Sequence, residues 1–232
     1  MENRLRKHRP LVSIIIPCKE IDHYTRRCIR KCEALLEPKE IIVVPDSVCP
    51  GYPAAKRNWA MAHAKGTIYA FIDSDAYPSK GWLEYAMQKL YYNPAVCGPG
   101  VLPPDAPFME RVADKVFQWL PYSYRVIPKR AGWVAEYPTF NLIVNKKYAV
   151  PFENYLTGED SLFCREIGGV YYDPKILVFH NRREAFRPLW KQVGTYGRHR
   201  GNFIKLALLA WVSSVFTYSV NFIVGFFKRR PS

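Results

Sequence analysis

Two aspartates separated by one serine, Asp73-Ser74-Asp75, follow an apolar run at 67–72 and precede Tyr77-Pro78. Carboxylates two positions apart at the end of a buried strand present hard oxygen ligands to Mg2+ or Mn2+, and a cation held there can bind a nucleotide diphosphate. In isolation the same pair reads equally as two solvated turn residues, one of them capping the next helix. A second concentration of chemistry lies at 182–200. There Arg182, Arg183, Arg187, Lys191, Arg198 and Arg200 stand against a single acid, Glu184, with Trp190 and Tyr196 interleaved. Ahead of an apolar run, such a segment suits lipid head groups or lipid-linked phosphate and can close over a phosphorylated donor. A solvated basic helix face has the same composition. No RNP, KH or zinc-finger pattern accompanies it, so no nucleic-acid partner is expected.

The elements that must position these residues alternate. Residues 11–16 form a continuous β-branched run ended by Pro17, the pattern of a strand buried on both faces of a parallel sheet. Asp22 is an N-cap candidate for a helix carrying Cys28, Ile29, Cys32, Leu35 and Leu36 at helical spacing and stopped by Pro38. Strands are predicted at 41–44 and 67–72, with an Ala-rich helix at 53–65 between them that Gly66 would C-cap. A helix starting near Trp82, a Gly-interrupted strand at 95–101, a helix at 107–120, an aromatic loop (Tyr122, Tyr124, Trp133, Tyr137), a strand at 141–145, a helix after Gly158 and a strand at 175–179 complete the order. Strands joined by helices of this length imply right-handed crossovers and a doubly wound sheet, with ligands at the strands' carboxyl ends. The loops after Ile16, Val44 and Ile72 are therefore where a site belongs.

Composition narrows the partners. The 34 Lys and Arg against 20 Asp and Glu leave a formal charge of +14, which favours a polyanionic partner: nucleic acid, an anionic membrane or a phosphorylated substrate. With 49% hydrophobic residues in 232, the chain can bury a sizeable core, which excludes disordered, collagen-like and heptad-repeat classes. The cysteines (Cys18, Cys28, Cys32, Cys49, Cys97, Cys164) show no zinc spacing and read as reduced core thiols of a cytosolic compartment. The basic arm 1–10 runs into too short an apolar stretch for a cleaved secretion signal. The uncharged run 206–227 would make a helix about 33 Å long at about 1.5 Å per residue, enough to cross a hydrocarbon core of about 30 Å. Ser214, Thr217, Tyr218 and Asn221 stripe it with polar groups, and basic residues flank both ends, so a spanning helix and an in-plane helix both remain open.

The strings VSIIIPCKE, EIIVVPDS, AAKRNWAMAHAKGTIYAFIDSDAYP and GEDSLFCREI, in this order and spacing over roughly residues 11–200, resemble the family 2 glycosyltransferases with the nucleotide-sugar-binding GT-A fold. The resemblance implies that Pro17, Cys18 and Glu20 of the first loop and Asp46 of the second hold the nucleoside, with Lys56 and Arg57 near it or its phosphates. Asp73, Ser74 and Asp75 would be the donor and metal motif. The family commonly places two acids in the second loop, and here Pro45 takes the first place. By the same resemblance, Glu159 and Asp160 form the acidic motif at the start of a helix. Sugar transfer with inversion needs a base for the acceptor hydroxyl, and Asp160 is the choice; an ordinary acid at a helix N-terminus is the structural alternative. In related folds a histidine in the place of His180 completes the metal shell, and imidazole suits Mn2+ better than Mg2+. Arg182 and Arg183 could meet the diphosphate, and Trp190, Arg198 and Arg200 would lie on the acceptor and membrane side.

The expected molecule is an α/β protein with a GT-A-type doubly wound, mainly parallel sheet and a C-terminal membrane-associated helix. Its parts are a basic arm (1–10), a catalytic domain (11–181), a basic juxtamembrane segment (182–205), a membrane helix (206–227) and a basic tail (228–232). The expected activity is Mn2+- or Mg2+-dependent, inverting transfer from a UDP-linked sugar to a lipid-linked or glycan acceptor. The catalytic domain would sit at the cytosolic membrane face, with oligomers able to form through the C-terminal helix. A metal-dependent nucleotidyltransferase and a non-catalytic basic membrane- or nucleic-acid-binding module are the competing readings.

Overall fold

The computed structural model describes residues 11–108, 110, 111, 114, 130–153 and 158–181. The chain divides into two compact units, residues 1–103 with 124–181 and residues 104–123 with 182–232. In the second unit, positions 108, 110, 111 and 114 are helical, and the Arg111 guanidinium donates to the carbonyls of Ala106 (3.0 Å) and Pro104 (2.8 Å). The rest of the expected 107–120 helix, Tyr122 and Tyr124, the arm 1–10 and everything from 182 onward, including the 206–227 run, lie outside the described residues. Among the described residues no helix is long and apolar enough to cross a membrane.

In the first unit the described strands are β1 (Val12–Pro17), β2 (Lys39–Val44), β3 (Ile68–Ile72), β4 (Ala76–Pro78), β5 (Ala95–Cys97), β6 (Gly100–Val101), β7 (Gly132–Val134), β8 (Asn141–Asn145), β9 (Val170–Tyr172) and β10 (Val178–His180). The helices are α1 (His23–Glu33), α2 (Pro53–His63), α3 (Trp82–Leu90) and α4 (Glu159–Glu166). Seven strands pair in the order β2-β1-β3-β8-β5-β9-β7, and β4-β10-β6 form a second, small sheet. β1 lies parallel to both β2 and β3, with Val12 opposite Lys39 on one side and Ile68 on the other. Winding therefore reverses at β1. Right-handed crossovers then send α1 and α2 to opposite faces and open a crevice at the carboxyl ends of β1 and β3.

The mainly parallel expectation needs correction at β8, which runs antiparallel to both β3 and β5. Its Leu142, Ile143 and Val144 are fully buried, and a buried apolar run looks the same in either direction. β7 is likewise antiparallel to β9, and it takes Trp133 out of the expected aromatic loop into an edge strand.

Local chemistry explains most boundaries. Asp22 caps α1 as expected, its carboxylate accepting from the Thr25 amide at 2.8 Å. The helix stops at Glu33, short of Leu36, which is 93% exposed; Pro38 steers the preceding residue away from helical geometry. Gly66 is not a C-cap: Ala64 ends α2 in an extended conformation. Gly66 is instead a point of close approach, where a Cβ would come within 2.5 Å of Ser13 Oγ and 2.7 Å of the Leu11 carbonyl. Its amide donates to Ser13 Oγ at 2.9 Å and to Glu40 at 3.1 Å, and Ser13 Oγ donates to Glu40 at 2.6 Å. All six cysteines are unpaired, and all but Cys49 are buried, as core thiols should be.

The expected 95–101 strand is two strands in two sheets, because Gly98 and Pro99 turn the chain between them. Buried Asn141 holds that turn: its amide donates to the carbonyls of Gly98 and Ile176, both at 2.7 Å, and its oxygen accepts the Trp82 indole N–H at 2.8 Å. A Cβ on Gly98 would lie 1.9 Å from the Ile176 carbonyl oxygen and 2.7 Å from that of Asp173, both backbone atoms that cannot step aside. Gly98→Ala should therefore cost about 3 kcal/mol, the upper end for overpacking. Gly132→Ala, where a Cβ meets nothing within 4 Å, should be near neutral. Thermal denaturation of the two variants checks this, and equal midpoints would refute the close approach.

Candidate functional site

The loops after β1 and β2 are knitted together at the open end of the sheet. The Cys18 amide donates to the Val44 carbonyl (3.1 Å) and the Asp46 amide to the Lys19 carbonyl (3.0 Å). Pro17 and Cys18 are buried there, and Glu20 is exposed. Burial raises the Cys18 thiol pKa, against the pull of Lys56. Helix α2 then sends two buried cations into the crevice, which is tolerable only because each meets acids. Lys56 Nζ lies 2.5 Å from Asp46 Oδ1, an ion pair whose angle falls outside hydrogen-bond geometry. The Arg57 guanidinium reaches Asp73 Oδ1 at 3.4 Å and Glu159 Oε1 at 3.3 Å. Adjacent residues of one helix thus reach three separate segments, the loops after β2 and β3 and the start of α4.

Asp73 leaves β3, and its carbonyl accepts the Ala76 amide at 3.0 Å, closing a turn into β4. β4 pairs antiparallel with β10, setting Ala76 opposite His180, while the Asn181 amide donates to the Asp75 carbonyl at 2.9 Å. That register brings His180 Nε2 to 3.1 Å from Asp75 Oδ1, and the imidazole stacks on Phe140 with centroids 5.0 Å apart. One ligand atom from each of Asp73, Asp75 and His180 falls within 4.8 Å of the others, with Ser74, half-buried, between the two acids. Neighbouring ligands of a hard divalent ion at about 2.1 Å stand about 3 Å apart, close to the His180–Asp75 spacing. Two carboxylates and an imidazole are a donor set for Mn2+, and the three residues fit it. Burial raises the Asp73 pKa even though 36% of its side chain meets solvent in the recess; Arg57 pulls it back down and the Asp75 charge pushes it up again. Neutralising that pair is what a divalent cation does well.

The acidic pair at the start of α4 divides its labour. Gly158 takes φ +93°, a left-handed cap that suits glycine, and the two acids occupy the first turn, where the helix dipole favours them. Glu159 turns inward to Arg57. Burial first, and then the Asp160 charge, push its pKa up to about 7, with Arg57 opposing. Asp160 is half-buried, and its Oδ2 accepts the Thr139 amide at 3.2 Å. A carboxylate oriented in this way can take a proton from a hydroxyl. Sequence reasoning did not find Thr139 or Phe140: neither is titratable, and their partners are remote in the chain. Arg182, Arg183, Trp190, Arg198 and Arg200 lie outside the described residues.

Comparison with known proteins agrees with this picture. Residues 50–150 match the model of "Glycosyl transferase family 2". No curated protein matches the sequence. Among solved structures, S. aureus TarS 1–349 in complex with UDP-GlcNAc is 16% identical, with a TM-score of 0.54 over 75% of this chain and 59% of that one. The mannosyltransferase PcManGT from Pyrobaculum calidifontis, in complex with GDP-Man and Mn2+, is 15% identical, with a TM-score of 0.53 over 93% of this chain and 76% of that one. This chain thus spans under two thirds of the length of the TarS structure. At these identities the structures speak for a shared fold, and with the family match over residues 50–150 they bear out the resemblance: the chain carries the signature and the GT-A fold of the family 2 glycosyltransferases.

Proposed function

We propose that the chain is an inverting, metal-dependent glycosyltransferase that moves a sugar from a nucleotide diphosphate to an acceptor hydroxyl. The observation that carries this reading is the gathering of Asp73, Asp75 and His180 within 4.8 Å at the strand ends, tied through Arg57 to the motif that bears Asp160. In the transfer, the acceptor oxygen bonds to the anomeric carbon as the bond from that carbon to the diphosphate breaks. The hydroxyl proton passes to the Asp160 carboxylate, and the nucleoside diphosphate leaves. A divalent cation at Asp73, Asp75 and His180 would supply neutralising charge for the leaving group. Pro17, Cys18, Glu20 and Asp46 would line the nucleoside side. TarS was solved with UDP-GlcNAc and PcManGT with GDP-Man and Mn2+, so both donor classes belong in a screen. The +14 charge and the basic 182–200 segment support a lipid-linked or glycan acceptor at an anionic membrane surface, with the 206–227 run as the anchor.

A screen of nucleotide sugars with Mn2+ tests the proposal, reading thermal stabilisation and donor hydrolysis together. At least one donor should raise the melting temperature and be hydrolysed to the nucleoside diphosphate, and EDTA should remove both effects. Pyrophosphate release from a sugar phosphate and a nucleoside triphosphate would establish a nucleotidyltransferase instead. Salt-dependent RNA binding indifferent to nucleotide sugar and Mn2+ would establish a binding module.

A further inference from the structure

Helix α2 carries a third residue beside Lys56 and Arg57 that reaches out of the helix. The Asn58 side-chain amide donates to the Phe152 carbonyl at 2.8 Å, and its oxygen accepts the Phe152 amide, also at 2.8 Å. One side chain thus satisfies both backbone groups of a residue far away in sequence, as a neighbouring strand would. Phe152 stands where the parts of the site meet. Its ring stacks on Phe163 of α4 (4.2 Å between centroids, 8° between planes) and meets Phe71 of β3 edge-on at 5.2 Å. The Arg57 guanidinium lies 5.5 Å from its centroid. Phe71 stands two residues before Asp73, and Phe163 lies one turn beyond Glu159 on α4. In sequence, Phe152 stands six residues before Gly158 and the acidic motif.

We propose that Asn58 is a positioning residue for the transfer step: by clamping the Phe152 backbone to α2, it sets α4, and with it Asp160, against the donor-side residues of the same helix. Asn58 is uncharged and bonds to none of the acids or to His180, so its influence runs through placement. The inference rests on the glycosyl-transfer reading. A misplacement of about 1 Å in a reacting geometry is enough to cost about a hundredfold in rate.

The test compares wild type, Asn58→Ala and Asn58→Asp by steady-state kinetics on a donor found in the screen, and by hydrogen–deuterium exchange at the Phe152 amide. Asn58→Asp keeps the volume and the acceptor for the Phe152 amide but loses the donor to its carbonyl, so it covers the case in which the alanine variant folds poorly. Asn93→Ala serves as control, because it removes a similar side-chain amide bond, to the Lys89 carbonyl, at the end of α3. Both Asn58 variants should lower kcat by about tenfold or more. Donor KM and Mn2+-induced stabilisation should stay within about twofold, and Phe152 exchange should be faster in the alanine variant. The control should keep wild-type kcat. Wild-type kcat in the Asn58 variants would overturn the proposal, and so would a donor KM that rises in step with the loss of kcat. If wild type turns over no donor, glycosyl transfer itself fails, and the exchange data alone decide: unchanged exchange at Phe152 overturns the clamp and faster exchange upholds it.

Discussion

Asp75→Asn is expected to lower metal-dependent transfer by about a thousandfold and to abolish stabilisation by Mn2+, while leaving the metal-free protein at least as stable as wild type. The first part follows from the worth of a divalent cation at a leaving diphosphate, several kcal/mol, and from the tenfold change in rate that each ~1.4 kcal/mol brings. Asp75 supplies one of only two carboxylates among the three candidate ligands, and an amide oxygen is a much poorer partner for a hard ion. The second part follows from what surrounds Asp73. Its pKa is raised by burial; Arg57 opposes that, and the charge of Asp75 adds to it. In chelator Arg57 still faces Asp73 and His180 still faces Asp75, but no cation offsets the repulsion between the two acids, and removing one relieves it. The two readouts therefore move in opposite senses, which separates loss of a metal site from general damage. Transfer at the wild-type rate in EDTA, or Mn2+ stabilisation that survives in Asp75→Asn, would refute the metal role.

What the sequence made legible was chemistry carried by neighbours along the chain. The Asp22 cap, the Asp73-Ser74-Asp75 turn and the Gly158-Glu159-Asp160 helix start each need only a few consecutive residues, and each stands where expected. What stayed hidden depends on partners remote in sequence. Ala76–Pro78 looks like loop beside a proline, and becomes a strand because Val178–His180 pairs with it. That same pairing sets His180 opposite Ala76 and so brings its Nε2 to 3.1 Å from Asp75, a contact that the family resemblance and the arginines following His180 suggested but that no local pattern could place. Gly98 and Gly66 looked like an interruption and a cap; both are spaces left for a distant backbone or side chain. Asn58 shows the limit most clearly, since an asparagine in the middle of a helix carries no signal until Phe152 is seen beside it. The direction of β8 was invisible for a different reason: burial on both faces erases the alternation that marks an antiparallel strand.

Asp160→Asn is expected to lower turnover by about two orders of magnitude or more, the usual worth of a general base, with donor affinity nearly unchanged. Glu159→Gln should lose less turnover and show its effect in stability instead. Geometry separates the neighbours: Asp160 is half-buried and oriented by the Thr139 amide, whereas Glu159 is buried against Arg57. Burial, and then the charge of Asp160, raise the Glu159 pKa from 4.5 to about 7. The folded protein therefore binds this proton more tightly than the unfolded chain does. Its contribution to stability is whole below the unfolded pKa and is lost as pH rises through about 7. In metal-free protein, the melting temperature of wild type should consequently fall relative to Glu159→Gln between about pH 5 and pH 8. A constant difference across that range would place the Glu159 pKa at its ordinary value. Equal losses of donor affinity and turnover in Asp160→Asn would make Asp160 a binding residue, and wild-type turnover there would point to a phosphate acceptor, whose oxygen is already anionic and needs no base.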